Sequence, residues 1–257
     1  MGTRSGAIIA GNWKMHKNAG DSADFISALE KRLPPGMDDR RTAVIVFPAF
    51  TSLAAARQVA RRVHIGAQNM YFADQGAFTG EVSPTMLSGL AEYVLVGHSE
   101  RREIFAENDE LLNQKLMAAF HHGLKPVLCI GETLREREAG ETQAKVRRQL
   151  ERDLSGCSAD EIARLILAYE PIWAIGTGRN ATPQQAQEVH SFIRKLMLDF
   201  SADPAALKIL YGGSVKPENC RELLDQPDVD GLLIGGASLN IDSFSAIIEA
   251  SLRAQRS

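Results

Sequence analysis

The chain has 257 residues, a formal net charge of -3, 44% hydrophobic residues and 24% charged ones. That length is enough for a large core in one or two domains, or in one α/β barrel. The near-neutral charge excludes recognition of nucleic acid or an anionic membrane by overall field, so any anion must be held by local groups.

In chain order, the expected strands are Ala7–Asn12, Thr42–Phe47, residues 64–67, Tyr93–Val96, Lys125–Ile130, residues 164–169, Lys208–Tyr211 and Gly231–Ile234. Most are continuous apolar runs rather than alternating ones, as parallel strands buried on both faces require. Helical periodicity lies between them. Phe25, Ile26 and Leu29 share a face, as do Leu112, Leu116, Ala119 and Phe120. Val189, Phe192, Ile193 and Leu196 repeat the pattern, and so do Phe244, Ile247, Ile248 and Leu252. Thr182-Pro183-Gln184-Gln185 marks a helix start, with a Thr cap, Pro in the first turn and Gln three residues after the cap.

Eight strand–helix units in a chain of this length fit a single (β/α)8 barrel in one domain, residues 1–257. A doubly wound open sheet competes, but its dinucleotide form carries GxGxxG after the first strand, and here Gly11-Asn12-Trp13-Lys14 follows instead. The residues before Ala7 read as a ragged extension. Three cysteines, Cys129, Cys157 and Cys220, form no CxxC pair, which argues against a disulfide framework and a zinc site. Cys129 lies in an apolar run and reads as a small core residue. With no signal-peptide stretch and no apolar segment of bilayer length, a reducing cytoplasm is the expected location.

In a barrel, chemistry gathers at the C-terminal ends of the strands. Asn12 and Lys14 follow the first strand, and His98, Ser99 and Glu100 the fourth. Glu170 follows the sixth, Gly212, Gly213 and Ser214 the seventh, and Gly235 and Gly236 the eighth. Each has a plainer reading. Lys14 is compatible with a solvated turn, His98 with a helix cap or a core histidine, Ser99 with a cap, and Glu100 with an ion pair to Arg101 or Arg102. The segment Ala168-Tyr169-Glu170-Pro171-Ile172-Trp173-Ala174-Ile175-Gly176-Thr177-Gly178 fits a base beneath a lid as well as it fits a strand cap and a turn. The glycines of the last two loops let backbone N–H groups approach an anion, and this fold often binds phosphate there.

These stretches resemble the triosephosphate isomerase family, and the resemblance spans essentially the whole chain. It rests on Gly11-Asn12-Trp13-Lys14-Met15, Val96-Gly97-His98-Ser99-Glu100-Arg101-Arg102, the Glu170 segment, Tyr211-Gly212-Gly213-Ser214-Val215, and the run from Gly231 to Leu239. Gln68-Asn69 and Gly76-Ala77-Phe78-Thr79-Gly80-Glu81 are similar to the family's third loop. The resemblance implies a TIM barrel that interconverts dihydroxyacetone phosphate and D-glyceraldehyde 3-phosphate through an enediolate, in glycolysis and gluconeogenesis, with no cofactor and no metal.

By resemblance Glu170 is the base, which a water-excluding lid strengthens. His98 is a neutral electrophile beside a helix N-terminus, a role for which this family is itself a standard example of tuned acid–base chemistry. Lys14 supplies fixed positive charge and Asn12 an uncharged hydrogen bond. Gly176, Ser214, Gly235 and Gly236 hold the phosphate, together with Asn12 and Lys14, while Ser99 and Glu100 support. Residues 172–177 form the closing loop. The segment from Gln68 to Glu81 docks into a second copy near Asn12 and Lys14, making a homodimer, with Thr79 near its tip. Arg179-Asn180 and Met70-Tyr71 depart from common family patterns without touching a catalytic position. Two rivals remain at this stage: a Schiff-base aldolase using Lys14, and a non-catalytic phosphate-binding barrel.

Overall fold

The computed structural model describes residues 6–37, 42–176, 180–200 and 202–254. The strands are β1 (Ala7–Asn12), β2 (Thr42–Phe47), β3 (Val63–Ala67), β4 (Tyr93–Val96), β5 (Lys125–Ile130), β6 (Ile166–Tyr169), β7 (Lys208–Tyr211) and β8 (Gly231–Ile234). They close in sequence order into a barrel whose ladders are all parallel, β8 pairing back onto β1. Because side chains alternate along a strand, every strand but β3 feeds two hydrophobic cores. Ile8, Ala10, Ile45, Phe47, Leu95, Val127, Cys129, Ala168, Leu210 and Leu233 fill the barrel interior. Their alternates, among them Ile9, Val44, Val46, Val94, Val96 and Leu128, pack against the helices. Burial on both sides is the reason these strands read as unbroken apolar runs.

The helical stripes bury as their spacing requires. Phe25, Ile26 and Leu29 lie inside on Ala19–Arg32, and Leu112, Leu116, Ala119 and Phe120 on Asp109–His121. Of the Val189 stripe, Phe192 is only half-buried. Thr182 caps Pro183–Leu196 with a full capping box: its side chain accepts from the Gln185 N–H, and Gln185 accepts from the Thr182 N–H. Such a cap stabilises by about 1 kcal/mol. No helix among the described residues is long and apolar enough to cross a membrane.

Two strand starts differ from the sequence-based expectation. β3 begins one residue earlier, at Val63. β6 begins at Ile166, because a short helix, Ala159–Ile162, precedes it. Ser158 and Glu161 cap that helix, and the N–H groups of Arg164 and Leu165 donate back to Glu161 and Ile162, which holds both residues in a turn.

His190 shows how the frame responds to acid. Its ring is wholly buried against Tyr169, at 5.8 Å between centroids, with Nδ1 3.1 Å from the Asp228 carbonyl. Burial pushes its pKa from 6.5 down to about 4. The unfolded chain therefore takes up a proton near pH 6.5 while the folded chain does not. This residue's contribution to stability is full above pH 6.5 and is lost as pH falls toward about 4, a change of about 3 kcal/mol. We predict that His190→Gln flattens the stability profile across that window. Urea midpoints at pH 7 and pH 4.5 check it, and equal pH slopes in variant and wild type would refute it.

Candidate active site

Since every ladder is parallel, the C-terminal strand ends share one rim, and the polar residues that follow them converge on a cavity of about 520 Å³. Asn12, Lys14, His98, Glu170, Gly176, Gly212, Gly213, Ser214, Gly235 and Gly236 all line it. Its size suits a small organic ligand. Ser99 and Glu100 are not in the lining, but each contacts a residue that is, Ser99 through Glu170 and Glu100 through Lys14.

Lys14 sits in the left-handed region at φ 50°, unusual for a residue with a Cβ. Its backbone is held on both sides: its N–H donates to Asn12 Oδ1 at 3.0 Å, and its carbonyl accepts from Gln68 Nε2 at 2.8 Å. Gln68 also donates to the Phe47 carbonyl at 2.9 Å, so the start of the third loop braces this turn. The ammonium lies 2.5 Å from Glu100 Oε1. Glu100 thus pairs with Lys14 rather than with the adjacent arginines. Trp13, fully buried, anchors the same segment by donating from Nε1 to the Ser238 carbonyl at 3.2 Å.

His98 is the N-cap of the helix Ser99–Glu103, so the cap and the candidate electrophile are one residue. The Glu100 N–H donates to His98 Nδ1 at 3.3 Å. An accepting Nδ1 assigns the neutral ring's proton to Nε2. Nε2 in turn lies 3.2 Å from Glu170 Oε1.

Glu170 is 2% exposed. Its Oε2 accepts from the Ser99 N–H at 2.8 Å, and its own N–H donates to the Ile130 carbonyl at 2.7 Å. Cys129, a neighbour of this carboxylate on β5, is buried as the core reading requires, and burial pushes its thiol pKa well up.

Past Glu170 the chain turns at Pro171 into the short helix Ile172–Ala174, then reaches Gly176 at φ 68°. Of the expected lid, residue Thr177 lies outside the described residues, as do Gly178 and Arg179. The first half of the loop is pinned by Glu132, which the sequence reading passed over. Glu132 is fully buried; it accepts from Trp173 Nε1 at 2.9 Å and from the Tyr169 hydroxyl at 3.0 Å. Its backbone carbonyl takes the Ile172 N–H at 3.1 Å. Burial raises its pKa despite those donors. The only sequence signal for this residue is a glutamate just after the fifth strand.

The segment from Gln68 to Glu81 starts buried, at Asn69 and Met70, and runs out to solvent. Tyr71 packs on Phe72 and Phe78, with ring centroids 4.3 and 4.5 Å apart, and residues 74–81 are exposed. Among the described residues no cluster of histidine, cysteine or carboxylate side chains has the makings of a metal site.

A family model described as triosephosphate isomerase matches residues 7–251. The chain is 49% identical over 252 residues to the triosephosphate isomerase of Carboxydothermus hydrogenoformans, covering 95% of this chain and 98% of that protein. It is 49% identical over 245 residues to that of Moorella thermoacetica, covering 94% and 97% of the two chains. For the enzyme of a Roseiflexus species the figures are 48% over 246 residues, with 94% and 96% covered. A match that runs from the first strand into the last helix leaves no part of the barrel outside it, and the chain belongs to the triosephosphate isomerase family.

Proposed function

We propose that Glu170 is the base, His98 the electrophile and Lys14 the fixed cation of the family's reaction, the interconversion of dihydroxyacetone phosphate and D-glyceraldehyde 3-phosphate. The observation that carries this reading is a buried carboxylate 3.2 Å from an imidazole, with an ammonium on the same cavity. Glu170 removes a proton from the carbon beside the carbonyl, and the electrons move onto the carbonyl oxygen. His98 Nε2–H donates to that oxygen as charge develops, and Lys14 lowers the energy of the enediolate electrostatically. Asn12, whose Oδ1 is engaged by the Lys14 N–H, offers its amide as a further donor. Substrate entry must exchange the His98–Glu170 contact for contacts to the reacting carbons. Glu100 holds Lys14, and the Ser99 N–H holds Glu170 between turnovers.

The phosphate is assigned to Gly176, Ser214, Gly235 and Gly236, with Asn12 and Lys14 on the substrate side; Gly212 and Gly213 complete the wall. Backbone N–H groups without side chains in the way suit a dianion. A coupled assay with D-glyceraldehyde 3-phosphate tests the function. Run in D2O, it should incorporate deuterium at the carbon that exchanges its proton through Glu170. Turnover without solvent deuterium would overturn proton transfer, and no turnover would overturn the function. An aldolase using Lys14 would instead be trapped covalently by borohydride with substrate.

Residues 172–177 serve as the lid. An enediolate beside a phosphate can expel it, and closure holds the intermediate in a geometry that resists loss and keeps water out. Trp173 donates to Glu132 in this structure, so a lid motion that changes that contact should change Trp173 fluorescence when 2-phosphoglycolate binds. An indole that ignores the ligand would count against lid motion.

The protein works as a homodimer through the loop from Gln68 to Glu81. Support comes from large apolar side chains left in solvent: Met15, next to Lys14 in sequence, is 95% exposed, and Ile104 and Phe105, just past the helix that His98 caps, are 72% and 62% exposed. Apolar residues scattered singly need no partner, whereas a continuous patch formed by these would mark a partner surface. Sedimentation should give a dimer at working concentration; a fully active monomer would overturn the requirement. Three free cysteines support a reducing, cytoplasmic location, which cell fractionation would test.

A further inference from the structure

β4 and β5 are paired up to Val96 and Leu128. The next residues, Gly97 and Cys129, lie beyond the last rung, and their carbonyls have no ladder partners from each other's strand. One guanidinium bridges them. Arg102 Nε donates to the Gly97 carbonyl at 2.9 Å, and Nη2 donates to the Cys129 carbonyl at 3.0 Å. The same group pairs with two acidic side chains on separate helices. Nη1 lies 2.7 Å from Asp109 Oδ1, at the start of Asp109–His121, and Nη2 lies 2.5 Å from Asp153 Oδ2, at the end of Thr142–Asp153. The Arg102 side chain is 11% exposed and that of Asp153 is 0%.

Gly97 makes room for this clip. It sits at φ 71°, and a Cβ there would lie 2.8 Å from Nη2 and 3.0 Å from Nε. Both bridged carbonyls lead straight to the candidate reacting groups. Gly97 is bonded to His98. Cys129 is bonded to Ile130, whose carbonyl takes the Glu170 N–H at 2.7 Å. The 3.2 Å spacing between His98 Nε2 and Glu170 Oε1 is therefore set across a joint that no sheet hydrogen bond spans. Arg102 itself is absent from the cavity wall.

We propose that Arg102 is a positioning residue for the isomerisation, fixing the backbone that presents His98 at its working distance from Glu170. This rests on the reading of His98 and Glu170 as the reacting pair. A planar fork of donors reaches four acceptors at once, and a lysine ammonium at the end of a flexible stem does not.

Inhibition constants test it, because they do not depend on how much of a preparation is folded. Arg102→Lys is compared with wild type for inorganic phosphate, which draws on the assigned phosphate cradle and not on the His98–Glu170 pair, and for 2-phosphoglycolate, whose carboxylate occupies the place of the enediolate. We expect phosphate inhibition within about twofold of wild type, and 2-phosphoglycolate inhibition weakened at least about tenfold, in step with kcat/KM. KM should change far less than kcat. Unchanged 2-phosphoglycolate inhibition, or parallel shifts for both anions, would overturn the proposal and leave Arg102 a packing residue. If Arg102→Lys does not fold, Asp109→Asn, at the outer edge of the cluster, gives the same comparison with a smaller expected loss. Glu170→Gln, run alongside, separates the two readings. Full activity in that variant would overturn the assignment of the reacting pair. An inactive Glu170→Gln with a normal Arg102→Lys would overturn only the positioning role.

Discussion

Replacing Glu170 by glutamine is expected to lower kcat by about 10²- to 10⁴-fold, the share a general base contributes. Glutamine keeps the length of the side chain but cannot accept the substrate proton at neutral pH. Its hydrogen bonding is also wrong in either orientation. Glu170 takes one N–H from Ser99 at 2.8 Å and faces the protonated Nε2 of His98 at 3.2 Å, two donors that a carboxylate satisfies together. An amide has one oxygen, so its NH2 must confront one of those donors. The carboxamide will turn away from one partner, and KM for the phosphate-bearing substrate should change little because most of the cradle, Ser214, Gly235 and Gly236, follows other strands. Steady-state kinetics check the split. A variant within about tenfold of wild-type kcat would remove Glu170 from the role of base.

The same two contacts show what was legible in the sequence. His98 offers a helix cap, a core histidine and a catalytic group as readings; the fold makes it the cap and sets the same residue on the cavity wall, where the proposed catalytic role needs it. The Glu100 N–H that caps onto Nδ1 is what puts the proton on Nε2. In sequence, Glu100 is equally a partner for its neighbouring arginines. It pairs with Lys14, 86 positions away, because β1 and β4 deliver their ends to one rim. Six of the eight strands match their apolar runs residue for residue, since burial on both faces writes itself into every position. β6 is shorter than its run because Arg164 and Leu165 belong to a turn after a one-turn helix, too short to leave a periodic stripe.

Residues that act through others left less trace. Glu132 and Arg102 are charged groups whose partners come from different strands and helices, so no local pattern marks them. A buried glutamate holding an indole and a phenol is indistinguishable, in sequence, from a solvated one at a strand end. Buried polar groups of this kind are recognisable only once their donors and acceptors can be counted.

Gly131 belongs with them, and substituting it is expected to be costly. It follows the Ile130 carbonyl that binds the Glu170 N–H, and its own N–H donates to Gln149 Oε1 at 2.9 Å. A Cβ at this position would lie 1.8 Å from the Glu170 carbonyl oxygen and 2.7 Å from its carbonyl carbon. Both are backbone atoms, so no side-chain rotation relieves the overlap. β5 and β6 must part at the point where Glu170 leaves the sheet, just past the paired Ile130 and Tyr169. Overpacking of this kind costs about 1–3 kcal/mol. The resulting shift moves the carboxylate off its line to substrate, and a displacement of about 1 Å is worth about 10²-fold in rate. Gly131→Ala should therefore lose activity well beyond what its fall in melting temperature explains, with 2-phosphoglycolate inhibition weakened in parallel. Gly20→Ala, near the start of the exposed first helix where an added Cβ meets nothing closer than 3.4 Å, should leave both kinetics and inhibition unchanged. Wild-type kcat in Gly131→Ala would mean that the end of β6 can move without moving the chemistry, and the geometric argument for Glu170 would fail with it.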